Sequence, residues 1–293
     1  MRTAELLVDQ KCKLGEGPIW ITKQGRLFYV DILAHKIHSC NHLGQEEKVF
    51  NMPTYVSNIY ESQNDNQLLV ALADGLYLLD VWTGELNVYA LFNKVDPSLR
   101  TNDGFCDPYG NAWIGTMALT EEEGLGDLWM LDVDKQWHLM LPHTSISNGI
   151  RCTPDGNEIY YIDTPTHQVR RFNYNHNNRT WALDKVVFEI DPSVGHPDGM
   201  SIDENGHLWI ALWDGFAVIC VDPETGEIID KVNVPAPHVS ACTFGGPEMK
   251  TLLITTARKD MTADELEEFP HAGGIFKVDL EVKGRPNFIF RPK

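Results

Sequence analysis

The sequence predicts an all-β fold and, more specifically, a six-bladed β-propeller. Six stretches of the chain share one layout, in which a short motif is followed by an apolar run, a turn and a second apolar run. A polar residue stands at one fixed phase in five of the six, and repeats of 42 to 50 residues are typical of propellers and other arrays. We call the residues at this phase the anchors: Glu16, Asn58, Asn102, Asn148, Asp198 and Ala241.

Each repeat supplies the strands of one blade. After every anchor a turn leads into a run of β-branched, aromatic and leucine residues, and a third run follows; short strands divided by turn residues are typical of all-β architecture. A fourth strand is visible in most repeats, so four-stranded units would close into a ring with protected strand edges. The second strands are predicted at RLFYVD (26–31), QLLVALAD (67–74), NAWIGTM (111–117), EIYYIDT (158–164), HLWIALWD (207–214) and TLLITTA (251–257).

The sixth repeat is the least regular. It lacks an obvious fourth strand, and two segments could supply one: PNFIF (286–290), or the N-terminal ELLV (5–8), which would tie the two ends of the chain together. The one helical pattern is MTADELEEF (261–269), where Thr262 could cap a short helix with Glu265 as its capping-box partner. We expect this helix to be an insert in a loop of the sixth repeat.

Composition points to one domain spanning residues 1–293 and to a cytoplasmic protein. No linker or charge block divides the chain, and the N-terminal segment (1–17) lacks the apolar region of a signal peptide. A formal charge of −18 repels phosphate backbones and anionic membrane surfaces, so neither nucleic acid nor a membrane is an expected partner. The six cysteines have no CxxC spacing, and we expect them to be buried thiols in a reducing compartment.

A duplicated tripeptide separates the anchors from ordinary turn residues. Pro-Asp-Gly occurs at 154–156 and at 197–199. The first copy falls at the phase of a hairpin turn, and the second falls at the anchor phase, at the entry to an innermost strand. Taken singly, Glu16, Asn148 and Asp198 would all pass as turn residues. Their shared phase instead predicts that they converge on the central axis.

Two carboxylates and an amide oxygen form an all-oxygen ligand set. Such hard ligands suit Ca²⁺, Mg²⁺ or Mn²⁺, whereas Zn²⁺ could bind but would prefer histidine or cysteine. Three protein ligands leave coordination positions for water and substrate, as a catalytic site requires. We therefore expect one divalent metal ion, held by Glu16, Asn148 and Asp198.

Further polar residues share the anchor of the third repeat. Arg100 could form an ordinary surface ion pair or, together with Asn102, could grip the hydroxyl groups of a polyol or sugar. Asp103 could cap the strand edge or line the pocket, and the sequence leaves both roles open. His143 and His196 lie near anchors, but a lone histidine is more often structural than catalytic.

The motifs around the anchors resemble those of the senescence-marker-protein-30/gluconolactonase/luciferin-regenerating family over nearly the whole chain. The resemblance implies a six-bladed propeller with one divalent metal in its central channel, bound by Glu16, Asn148 and Asp198. It also implies that Asp198 is the general base and that Arg100 and Asn102 contact substrate. The matching segments are LGEGPIW, RTNDGFCDPYGNAWIGTM, SNGIRCTPDGNEIYYIDT, HPDGMSIDENGHLWIALWDG, ACTFGG with LLITTA, and HAGGIFKVDL.

The implied activity is the metal-dependent hydrolysis of a small-molecule sugar lactone, an aldonolactone such as gluconolactone. The family often has substrate-binding acidic residues directly after its GTMA segment, but Leu119 and Thr120 stand there in this chain, and Glu121, Glu122 and Glu123 follow. Two alternatives stay open. One is another hydrolase on the same scaffold, acting on phosphotriesters or a luciferin-like compound, and the other is a calcium-binding or partner-binding propeller without turnover.

Overall fold

Six antiparallel sheets surround one central channel in a computed structural model that describes residues 2–291. The innermost strands contact one another in chain order, and the last contacts the first, so the ring is closed. This is the predicted six-bladed β-propeller. No helix within the described residues is long and apolar enough to cross a bilayer.

The strands follow the predicted four-per-repeat order, innermost first. The chain begins with β1 (Arg2–Thr3) and β2 (Glu5–Val8). Blade 1 contains β3 (Gly15–Ile21), β4 (Arg26–Asp31), β5 (Lys36–Asn41) and β6 (Lys48–Asn51). Blade 2 contains β7 (Val56–Glu61), β8 (Gln67–Leu72), β9 (Gly75–Asp80) and β10 (Leu86–Leu91). Blade 3 contains β11 (Leu99–Cys106), β12 (Ala112–Ala118), β13 (Gly126–Leu131) and β14 (Trp137–Thr144).

The second half of the chain continues the same order. Blade 4 contains β15 (Ser147–Cys152), β16 (Glu158–Asp163), β17 (Gln168–Asn175) and β18 (Thr180–Glu189). Blade 5 contains β19 (His196–Ile202), β20 (Leu208–Trp213), β21 (Ala217–Asp222) and β22 (Glu227–Asn233). Blade 6 contains β23 (Val239–Gly245), β24 (Thr251–Thr256) and β25 (Ile275–Asp279), with helix α1 (Ala263–Glu268) between the last two. Short 3-10 turns at Ile32–Ala34 and Thr164–Thr166 follow β4 and β16.

The N-terminal segment closes the ring. Strand β2 pairs antiparallel with β25 and becomes the outer strand of blade 6, so the ELLV alternative is confirmed. The PNFIF alternative is wrong: residues 286–290 add no strand to blade 6, because Phe290 is buried in the apolar cluster between blades 2 and 3. Strand β1, which the sequence analysis did not anticipate, adds a parallel edge to blade 5. The Thr262 capping box of the inserted helix is present as predicted.

The core consists of apolar clusters packed between neighbouring blades. Burial of these faces is what holds blade to blade, since hydrophobic burial is the dominant favourable term in folding. All six cysteines are free and buried, which agrees with the expectation of buried thiols.

A β-bulge interrupts every innermost strand at its anchor. The register of the first strand pair shifts at or beside the anchor in all six blades, and bulges of this kind re-aim side chains and recur next to active sites. The shifts fall between Glu16 and Ile19, Val56 and Asn58, Thr101 and Gly104, Asn148 and Ile150, Pro197 and Met200, and Val239 and Ala241.

Glycines beside the anchors let neighbouring inner strands approach closely. A Cβ atom added to Gly149 would lie 2.7 Å from the backbone oxygen of Asp198, and one added to Gly199 would lie 2.5 Å from Cβ of Ala241. Both distances are shorter than real contacts allow, so side chains at these positions would push the blades apart. The glycines therefore set how near the anchors of blades 4, 5 and 6 come to one another.

The C-terminal tail (280–291) crosses the end of the channel that lies opposite the anchors. Its backbone or side chains hydrogen-bond residues of five blades, including the Trp20 oxygen, which accepts from Asn287 Nδ2 at 3.0 Å. Phe290 N–H donates to the oxygen of Glu61 at 2.8 Å. The other blade residues that share backbone hydrogen bonds with the tail are Gln63, Gly110, Ile202, Glu204, Met249 and Lys250.

Candidate metal and substrate site

The five predicted site residues lie on the innermost strands at the start of blades 1, 3, 4 and 5. Each is buried, with between 4% and 9% of its surface exposed. Hydrogen bonds and electrostatic interactions connect all of them. They are Glu16, Arg100, Asn102, Asn148 and Asp198.

A chain of polar contacts runs across blades 3, 4 and 5. Arg100 donates to Oδ1 of Asn102 at 2.6 Å, and Nδ2 of Asn102 donates to Oδ1 of Asn148 at 2.8 Å. Nδ2 of Asn148 donates to Oγ1 of Thr164 at 2.8 Å, and that hydroxyl donates to the oxygen of Pro197 at 2.7 Å. The Asn148 amide is thus held in one orientation, and its carbonyl oxygen keeps a second lone pair for another partner.

The site concentrates carboxyl groups away from water. Burial raises the pKa of Glu16 to about 8, and the neighbouring carboxylate of Asp103 adds to the rise. Burial likewise raises the pKa of Asp198 well above its ordinary value, with further contributions from Glu16 and Asp103. Burial lowers the pKa of Arg100 to about 10, against the opposing attraction of Glu16, Glu121 and Asp198. Three carboxylates therefore share one buried region with a guanidinium group.

These residues fit a hard divalent cation. One oxygen of Glu16 accepts the N–H of Gly17 at 2.9 Å, and the Asn148 oxygen is oriented by its neighbours. Oδ2 of Asp103 is buried and has no hydrogen-bond partner among the described residues. Adjacent buried carboxylates destabilise one another, and a bound cation would reverse that effect. Glu16, Asn148 and Asp198 would hold the metal, with Asp103 behind them.

The raised carboxyl pKa values predict an unusual pH dependence of stability. Between about pH 4.5 and pH 8 the folded protein holds a proton on Glu16 that the unfolded chain has released, so stability falls as pH rises through this window. We expect the melting temperature of the metal-free protein to fall between pH 5 and pH 8. Glu16→Gln should make that fall smaller without abolishing it, because the pKa of Asp198 is raised as well. Calorimetry of both proteins in chelator tests this, and parallel slopes would contradict it.

Below the anchors the channel contains a cavity of about 70 Å³, closed at its far end by the tail. Asp103 lines this cavity, which favours the pocket role over the strand-edge role, and its Oδ1 accepts the N–H of Gly104 at 2.7 Å. Asn58, an anchor, also lines it, and its Nδ2 has no partner among the described residues.

Sequence reasoning missed Arg151, whose charge opposes the rise in the pKa of Asp103. The only feature of the sequence that could have indicated Arg151 is its position three residues after the Asn148 anchor.

The remaining acidic and histidine residues named from the sequence lie in different places. Glu121, Glu122 and Glu123 are all exposed. Glu121 lies at the channel mouth, where its carboxylate is 2.9 Å from Nζ of Lys259. His143 is exposed, and His196 packs against the ring of His167, with 4.9 Å between ring centroids. Neither histidine bonds to the buried set.

A second group of possible metal ligands, away from the channel mouth, has a structural explanation. Asp203, His207 and Cys220 bring ligand atoms within 4.8 Å of one another. However, Oδ2 of Asp203 already accepts the indole N–H of Trp209 at 3.1 Å, and Oδ1 accepts backbone N–H groups of the following turn. Blade 3 repeats this turn with Asp107 accepting from Tyr109, Asn111 and Trp113. The repeated turn accounts for the cluster without a metal.

Comparison with known proteins places the chain in a family. The description "SMP-30/Gluconolactonase/LRE-like region" matches residues 14–258. A Bacillus subtilis (strain 168) protein with the provisional name sugar lactone lactonase YvrE is 37% identical over 281 residues, covering 96% of each chain. A 6-deoxy-6-sulfogluconolactonase of Pseudomonas putida is 29% identical over 289 residues, covering 98% of each chain.

A solved structure agrees over the whole chain. The calcium-binding protein regucalcin of Agrobacterium tumefaciens str. C58 superimposes with a TM-score of 0.93 and 31% identity, covering 99% of this chain and 98% of the other. The class defined by the fold is therefore a six-bladed propeller with homologues named as lactonases and as calcium-binding proteins. This chain belongs to the SMP-30/gluconolactonase/LRE-like family.

Proposed function

We propose that this protein is a divalent-metal-dependent lactonase that hydrolyses an aldonolactone such as gluconolactone to the aldonic acid. The observation that carries the proposal is the meeting of two buried carboxylates with raised pKa values and an oriented amide oxygen beside Arg100 and Asn102. The metal would be held by Glu16, Asn148 and Asp198. Relatives named as lactonases support the reaction class.

The chain's own groups account for binding and proton transfer. A bound divalent cation would supply Lewis-acid polarisation of the lactone carbonyl. Asp198 accepts a proton from the attacking water and returns it to the ring oxygen, which leaves as an alcohol. Arg100 and Asn102 bind hydroxyl groups of the substrate and so present its carbonyl to the water in one orientation. Asp198 suits this role because it is buried beside the other site residues, and a bound cation would favour the ionised carboxylate that can accept the proton.

Metal reconstitution on a panel of sugar lactones tests the proposal. The chelated protein is loaded with Ca²⁺, Mg²⁺, Mn²⁺ or Zn²⁺, and acid release from gluconolactone and related lactones is followed at low buffer strength. We expect at least one metal to restore hydrolysis above the spontaneous rate. Equal rates with and without metal would rule out metal dependence.

A calcium-binding propeller without turnover is the second candidate, favoured by the calcium-binding relative. It predicts calorimetric Ca²⁺ binding with no hydrolysis of any lactone under any metal. Adding a phosphotriester to the panel separates the third possibility, another hydrolase on this scaffold. Activity on the phosphotriester alone would replace the lactonase assignment.

Arg100→Ala should weaken hydrolysis of polyhydroxylated lactones while leaving metal binding intact. A hydrogen bond to a charged group is worth about 1.5–3 kcal/mol, which corresponds to roughly 10- to 150-fold in kcat/KM. A lactone without hydroxyl groups, such as δ-valerolactone, should lose much less. Equal losses on both substrates would argue against a hydroxyl clamp.

Asn102→Ala should differ from Arg100→Ala in one respect. Because Nδ2 of Asn102 orients the Asn148 oxygen at 2.8 Å, this variant should lose metal affinity as well as sugar-lactone hydrolysis. Calorimetric titration of both variants with the activating metal measures the difference. Unchanged metal affinity in Asn102→Ala would show that the orientation of Asn148 does not depend on this contact.

A further inference from the structure

Two loops on opposite sides of the ring meet over the channel mouth. They are the longest connections between a second and a third strand: residues 119–125 in blade 3 and residues 257–274 in blade 6. The inner strands contact one another in chain order around the closed ring, so these blades are three steps apart in either direction. Both connections lie at the same end of the ring as the anchors, because the first strand starts there and the second strand returns there.

The contact between the loops is an ion pair. The carboxylate of Glu121 lies 2.9 Å from Nζ of Lys259, which also pairs with Asp260. The side chains of Glu121 and Lys259 are 43% and 24% exposed. An exposed pair of this kind contributes little to stability, about 0–1 kcal/mol, so it can open without unfolding the loops.

Backbone structure holds both ends of this pair in place. Glu121 is in the left-handed region (φ 61°), and its N–H donates to the oxygen of Ala118 at 3.0 Å in a tight turn. On the other side, Arg258 donates to the oxygens of Pro270 and Ala272 at 2.8 and 2.7 Å, which ties the start of its loop to the end. The two charges therefore meet between fixed backbones.

The candidate substrate residues lie beneath the pair. Arg100 is 6% exposed, and the charges that stabilise it include Glu121 above and Glu16 and Asp198 at the metal site. A ligand on Arg100 would thus be enclosed between the carboxylates below and the ion pair above.

We propose that the Glu121–Lys259 ion pair is the roof of the substrate pocket and a determinant of specificity for neutral polyhydroxylated lactones. This inference rests on the proposed lactonase function. The pair opens as substrate enters, and its two ends then bind the hydroxyl groups farthest from the lactone carbonyl. A hydroxyl group donates and accepts, so it matches both the ammonium and the carboxylate. An anionic substituent would meet two carboxylates, Glu121 and Asp260, against the single ammonium of Lys259.

Binding of glucitol, an inert polyol, tests the roof without requiring turnover. Calorimetry is carried out on metal-loaded wild type, Glu121→Gln, Lys259→Met and the control Lys277→Met. Lys277 forms a comparable pair with Glu5 at 3.2 Å, with the lysine side chain 26% exposed, at the outer edge of blade 6. We expect roughly five- to tenfold weaker glucitol binding in the two roof variants, given the size of single hydrogen bonds to partly exposed charges, and no change in the control.

Kinetics on two substrates provide the second readout. In both roof variants kcat/KM for gluconolactone should fall about as much as glucitol affinity, while kcat/KM for δ-valerolactone should stay at the wild-type value. A charge-swapped protein, Glu121→Lys with Lys259→Glu, should recover part of the loss, since it restores a pair across the mouth. Melting temperatures confirm that every variant is folded.

The outcomes distinguish a failure of the ion-pair proposal from a failure of the lactonase proposal. Glucitol binding that depends on the pair, without hydrolysis of any lactone, would support the roof and reject only the lactonase function. Lactone hydrolysis by wild type with roof variants that match Lys277→Met would overturn the roof alone. A wild type that neither binds glucitol nor hydrolyses a lactone would overturn both.

Discussion

Asp198→Asn should leave a folded protein that still binds metal but has lost nearly all turnover. The amide oxygen can coordinate a cation, whereas an amide cannot accept a proton from water. Loss of a general base typically costs about 10²- to 10⁴-fold in rate. The measurement is kcat on gluconolactone at saturating metal, with bound metal quantified in the same samples.

The chain contains a matched control for this substitution. Asp155 occupies the same Pro-Asp-Gly tripeptide but lies in an exposed hairpin turn, where it accepts hydrogen bonds from Thr153 and Asn157. Asp155→Asn should therefore retain wild-type kcat. An Asp198→Asn protein with full metal occupancy and near wild-type kcat would show that Asp198 is not the base.

Phe290→Ala should cause the largest loss of stability among single substitutions in the tail. The ring is fully buried and packs edge-on against Tyr89, with 5.1 Å between ring centroids. Truncating a buried phenylalanine costs about 3–5 kcal/mol, because transfer free energy is lost and a cavity remains. Urea unfolding measures the effect. Phe216→Ala is the control, because Phe216 is 39% exposed. Equal unfolding midpoints for the two variants would show that the C-terminal tail does not stabilise the propeller.

The fold could be predicted because one residue phase recurs in every repeat. Strand content, turn positions and the six-fold count all followed from local patterns of apolar and turn residues. The outer strand of blade 6 could not be chosen from the sequence, since ELLV and PNFIF are both short apolar segments. Burial of Phe290 between blades 2 and 3 decided between them, and that is a tertiary effect.

The candidate site was predictable only where it follows the repeat. Glu16, Asn148 and Asp198 share the anchor phase, and the structure brings them to one buried region. Asn58 shares that phase as well, yet it faces the lower cavity, because each bulge sets its own side-chain direction. Lys259 could not have been found, since its position depends on the path of an 18-residue connection rather than on any periodic signal.

Closure of blade 6 by β2 has a consequence for how the protein is made. The strand that completes the ring is synthesised before blade 1, but its partner β25 is synthesised only after the other strands of blade 6. Blades 1 to 4 can fold as they emerge, since their four strands are contiguous in the chain. Residues 5–8 must meanwhile remain unpaired, as an exposed strand edge open to wrong partners. The time during which residues 5–8 lack their partner is thus set by the length of chain between β2 and β25, and a chaperone that binds this segment would shield it until β25 is made.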